Sequence, residues 1–235
     1  MELIIILPLI LVQSIFGIGL LLFGTPTLIY FGYNYSETLS LLLPISIIIS
    51  LSQILTSKKK DLNFVKKFNK FCIPVLIISI FFILNFSHSI NFNLFISCIM
   101  ILVILITFFK SFFILKNYFL NFFLILIGLV HGLSNLGGSL LSILSVSISK
   151  NNIEISRFMI AYGYLSMAIT QYTMLIILKK NIFEIRFIFY YLITIFIYFP
   201  AQYFFKKIES KKFNRFIYIF AMFYAFFILY ESLIN

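Results

Sequence analysis

Apolar runs of about 20 residues follow one another along this chain, and all 18 Lys and Arg residues fall in the short gaps between them. Wound as a helix, a run of that length spans the roughly 30 Å of hydrocarbon in a bilayer. A helix at the surface of a soluble domain keeps a polar face, and these runs leave none. The 62% apolar share and mean hydropathy of +1.11 therefore read as an all-α polytopic membrane protein, whose non-protein partner is the lipid bilayer.

The basic gaps are 58–70, 110–118, 150–157, 179–186 and 206–215, none long enough to hold a soluble domain, so residues 1–235 read as a single membrane domain. The net charge of +11 is distributed as topology signals and points away from nucleic acid. The first residues carry no basic n-region and no small-residue cleavage site, so Leu3 onward reads as a retained membrane segment. The carboxylates sit in connectors or at the ends of the sequence, and none stands at ligand spacing from His131, so neither a metal centre nor a cofactor is expected. "HGLS" superficially places a base before a serine. Leu136 nevertheless occupies the second glycine position of G-x-S-x-G, and no enzyme is expected.

Sliding the sequence on itself by 118 residues aligns Val12 with Val130, Gln13 with His131, Gly19 with Gly137 and Gln53 with Gln171. Two internal repeats follow, 1–117 and 118–235. Each opens with a long apolar stretch interrupted by glycine (1–31 and 119–149), too long for one upright crossing. Three ordinary spans come next, 38–57, 71–87 and 92–109 in the first repeat and 157–178, 187–205 and 214–233 in the second. If each long stretch crosses once, the halves are parallel and Lys plus Arg divide 11 against 7 between the two sides. If each is a re-entrant hairpin, the halves are inverted, 15 lie on one side against 3 on the other, and the N-terminus is outside. The positive-inside rule selects two inverted repeats, each a re-entrant helical hairpin plus three transmembrane helices.

Inverted repeats place a binding site at the midplane, where broken helices meet. The two breaks, Gln13 to Gly19 and His131 to Ser139, are expected to face each other there. Half-helix N-termini offer unpaired N–H groups to an anion, and glycines let the backbone approach it. The expected substrate-binding residues are Gln13, Ser14, Gly17, Gly19, Gln53, His131, Ser134, Asn135, Gly137, Gly138, Ser139 and Gln171. His131, an ionisable group placed near the midplane, is the candidate proton carrier. No Lys or Arg is expected within a span, so the anion would be met by neutral donors.

"QSIFGIGLLLFGTP", with Gly17, Gly19 and Pro26, and "GLVHGLSNLGGSLL", with Gly128, Gly132, Gly137 and Gly138, resemble the paired glycine-rich segments of the TauE/SafE-type sulfite and sulfonate exporter family, also called the toluene sulfonate uptake permease family. The first copy has leucines where the family has further glycines, and the second has Asn135 at a usual glycine position. The resemblance implies a secondary transporter in a bacterial inner (plasma) membrane that moves a small sulfur oxyanion, sulfite or an organosulfonate. A small carboxylate transporter, an anion channel and a structural membrane subunit are the alternatives, and a homodimer is compatible with the layout.

Overall fold

The computed structural model describes residues 2–86, 117–149, 152–178, 180, 182–209 and the isolated positions 212, 215, 216 and 219. Among them there are eight helices and no strand: α1 (Glu2–Phe16), α2 (Leu20–Tyr30), α3 (Tyr35–Thr56), α4 (Leu62–Phe86), α5 (Asn117–Ser134), α6 (Gly137–Ile148), α7 (Ile153–Ile177) and α8 (Ile185–Lys206). Four of these, α3, α4, α7 and α8, are long and apolar enough to cross a membrane. The expected spans 92–109 and 214–233 lie outside the described residues, apart from isolated positions of the second.

The helix ends have local causes. Asn34 Oδ1 accepts from Glu37 N at 2.8 Å while Glu37 Oε2 accepts from Asn34 N at 3.0 Å, a capping box that starts α3. Asn152, which stands 118 residues later, caps α7 by accepting from Ile155 N. At the breaks, Gly17 and Asn135 take positive φ of 82° and 66°. Each returns its N–H to the carbonyl four residues back, Gln13 and His131, at 2.8 Å in both cases. That is the left-handed ending of a helix, favoured by Gly and next by Asn. The 118-residue offset thus aligns both helix ends and both caps.

The first long stretch is a hairpin. Gly24 of α2 lies against Leu9 of α1, Gly19 lies against Val12, and beyond the far end of α2 the Tyr33 hydroxyl donates to the Glu2 carboxylate. In the second stretch, Gly137 turns α6 back onto Ile127 and His131 of α5. At 15, 11 and 12 residues, α1, α2 and α6 reach only about 22, 16 and 18 Å, short of the bilayer thickness.

Two ends of the bundle are defined by what meets there. Ser57, Lys58, Glu154 and Lys206 line one cavity, so the end of α3, the start of α7 and the end of α8 share a basic end. At the opposite end Glu2 takes Tyr190 Oη at 2.8 Å and Arg186 at 3.1 Å, and Ile182 N donates to Ser40 Oγ at 3.0 Å. Helix α4 presents a stripe of Phe64, Phe68, Cys72, Leu76, Ile80 and Ile83 to the core. Gly128 and Gly132 of α5 press on Cys72, Leu76 and Ser79, so α5 runs parallel to α4 with backbones in close approach.

Candidate functional site

The hairpin tips do not meet. Arg157 of α7 bonds the Ser14 carbonyl, while Gln171 of the same helix bonds the His131 carbonyl. Fourteen residues of helix separate these anchors, about 21 Å. The expected single midplane site is corrected to two clusters, one at each tip. The reason is length: α1 and α5, about 22 and 27 Å long, each carry their break past the other. Asn135 accordingly meets the returning helix of the other hairpin, donating from Nδ2 to Thr25 Oγ1 at 2.9 Å.

Several of the twelve expected residues are occupied locally. Gln13 caps α2 with its own side chain, Oε1 accepting from Leu20 N at 3.2 Å and Nε2 donating to Ser46 Oγ at 2.9 Å. The leading N–H of α2 is therefore filled from within the hairpin and does not stand open to an anion. Ser134 Oγ donates to the Val130 carbonyl at 2.7 Å, and Ser139 Oγ to the Leu136 carbonyl at 2.9 Å. These are helical serines bonding backward. Gly19 and Gly137 seat each hairpin on itself, and Gly138 leaves room for the Tyr164 hydroxyl.

At the first tip, three helices converge on one carbonyl. Ser14 O accepts from Arg157 Nη2 at 2.8 Å, from Gln53 Nε2 at 3.1 Å and from Gln202 Nε2 at 3.1 Å. Gln53 also donates to Gln13 O at 2.8 Å, and Gln202 Oε1 accepts from Arg157 Nη2 at 2.7 Å. The guanidinium stacks on the Phe205 ring at 3.7 Å from its centroid. A cavity of about 380 Å³ lies beside it, walled by Gln53, Arg157, Phe158, Gln202 and Phe205, with Lys58 and Lys206 also on its lining. Arg157 Nε, Gln53 Oε1 and Ser14 Oγ are buried there without hydrogen-bond partners.

Arg157 corrects the expectation of no cation within a span. It is 8% exposed and the one buried cation among the described residues. Sequence reasoning assigned it to the connector 150–157, but the Asn152 cap starts α7 four residues earlier. The matching Asn34 cap, 118 residues upstream, was the signal that could have found it. Gln202, from "FPAQYFF", carried no such signal.

At the second tip, Gln171 Nε2 donates to His131 O at 3.3 Å, matching Gln53 on Gln13 O, and the His131 ring meets Tyr164 edge to face at 6.0 Å. The two imidazole nitrogens, Tyr164 Oη, Gln171 Oε1 and Asn135 Oδ1 are buried and complete no hydrogen bond. Among the described residues, nothing charged backs this tip. The positions that match Arg157 and Gln202 in the first repeat are Leu39 and Leu84, both buried.

The chain matches no protein family, no curated protein and no solved structure with which it was compared.

Proposed function

We propose that this chain is a secondary transporter for a small anion, working by alternating access between two inverted halves. The observation that carries the reading is Arg157, a guanidinium buried inside a membrane-length helix, set against a helix break and facing a cavity with two lysines on its lining. Intramembrane cations are costly and mark substrate paths. The inverted arrangement is supported by helix direction: α1 starts at the Glu2 end, while α5 runs parallel to α4, which starts at the basic end. The basic end, with Lys58, Lys59, Lys60, Lys206 and Lys207, is the cytoplasmic one by the positive-inside rule.

The cavity lies at that end, while Glu2, Tyr33, Tyr190 and Arg186 tie the opposite end together. This pairing fits an inward-facing conformation. The TauE/SafE resemblance adds the class of cargo, sulfite or an organosulfonate, and a bacterial plasma membrane. Export of such an anion runs with a negative-inside potential, worth about 2.3 kcal/mol per charge per 100 mV. His131 is the group we assign to proton coupling, from the second tip.

The test is solid-supported-membrane current from proteoliposomes over sulfite, sulfonates, thiosulfate, sulfate and small carboxylates, with and without a pH gradient. Saturable currents lost in Arg157→Gln support the reading, and their pH dependence in His131→Gln tests coupling. Currents from carboxylates alone would move the substrate class. Silence over the panel from folded protein would leave Arg157 as a cap on the end of α1.

A further inference from the structure

We propose that Arg157 couples anion binding to movement of the first hairpin, because the anion must take the guanidinium away from the Ser14 carbonyl. The inference rests on the transport reading and concerns how that site works. A carbonyl oxygen has two lone pairs, yet Ser14 O carries three donors, one each from α3, α7 and α8. One donor is therefore in excess, and its withdrawal leaves the carbonyl satisfied by the two amides. Arg157 is the donor that an anion attracts: it is charged, it lines the cavity, and its Nε is buried without a partner.

Charge decides the direction. A bond between two ions is stronger than one from a cation to a neutral carbonyl. The Gln13 and Ser14 carbonyls end α1, where the helix dipole is negative, and the guanidinium neutralises that end. When an anion draws the guanidinium off, an anion and a negative helix end are left side by side. The hairpin tip is then repelled from the cavity, with Gln53 and Gln202 left on its carbonyls and the Gln13–Ser46 bond behind them. By reciprocity, loosening the tip raises anion affinity by the same factor. The second tip has leucines at the matching positions, so this coupling belongs to one hairpin only.

The experiment follows the thiol introduced by Ile18→Cys, at a tip position 1% exposed, in a Cys98→Ser background, with buried Cys72 as the internal fold control. A membrane-impermeant maleimide is applied in proteoliposomes, and methanesulfonate is the probe anion. Arg157→Gln is expected to speed labelling of the introduced thiol roughly 5- to 150-fold with Cys72 still unlabelled. Methanesulfonate is expected to speed it when Arg157 is present and to leave Arg157→Gln unchanged. Gln202→Met, which removes a neutral pin, should act in the same direction with a smaller change, and it serves if Arg157→Gln exposes Cys72. Unchanged labelling in both variants overturns the proposal. So does a methanesulfonate current without any change in labelling. A current-free protein whose tip is nevertheless released by Arg157→Gln refutes transport of this anion and keeps the pin.

Discussion

Gly137→Ala separates the two roles that sequence and structure give to the second break. A methyl group on Gly137 would lie 2.6 Å from the Ile127 carbonyl oxygen, 2.6 Å from His131 Cβ and 2.9 Å from His131 N. Ordinary contact begins near 3.4 Å, so the start of α6 must lift from α5 by about 0.8 Å. Backbone atoms and a Cβ within a helix have no rotamer by which to step aside. Overpacking of this kind costs about 1–3 kcal/mol. Gly24→Ala is the comparator, because its nearest neighbour is the rotatable end of Leu42, and the helix-propensity gain of up to about 1 kcal/mol offsets the contact. Unfolding in mixed detergent and SDS micelles, followed by Cys72 reactivity, measures both variants. A Gly137→Ala protein as stable as Gly24→Ala refutes the packing argument. If such a protein also lost its currents, the role of Gly137 as anion-contacting backbone would be restored.

Asn135→Ala should be less stable than Asn135→Gly by about 1–2 kcal/mol in the same unfolding assay, since both lose the bond to Thr25 and only glycine accepts the positive φ. Glu2→Gln removes the charged acceptor of Tyr190 and should destabilise by about 1.5–3 kcal/mol, with the half-exposed Arg186 pair adding little. The Tyr33 phenol, bonded to the Glu2 carboxylate and partly desolvated, ionises above the ordinary value of 10. Its contribution is therefore complete below pH 10 and lost as pH rises through the raised folded value, so wild type and Tyr33→Phe should converge in stability only in that alkaline range. Cysteines replacing Lys58, Glu154 and Lys206 should label from one side and one replacing Glu184 from the other. Labelling of the Lys58 and Glu184 positions from the same side would contradict the inverted arrangement.

Much of the architecture was legible because it depends on residue types with narrow physical uses. Gly17 and Asn135 interrupt otherwise unbroken apolar runs, and only such residues end a helix in the left-handed conformation without strain. The paired glutamines were legible for the same reason: Gln53 and Gln171, 118 residues apart, each bond the carbonyl at the matching point of a break. Depth was not legible. Periodicity locates a break along the chain but says nothing of how far a hairpin of that length reaches, so the tips were placed face to face. Arg157 was missed because a cation at the end of a basic gap reads as a topology signal until the helix cap before it is recognised. Gln202 and Tyr164 act through contacts about 190 and 30 residues away in sequence, which pattern alone does not disclose.

Alternating access is tested most directly by counterflow. Proteoliposomes preloaded with unlabelled substrate, sulfite or the sulfonate that drives the largest current, are diluted into a trace of the labelled compound at zero membrane potential. A carrier whose site faces one side at a time gives a transient internal accumulation of label above equilibrium, lost in Arg157→Gln. Label that only rises to equilibrium would show an open conduit and contradict the account.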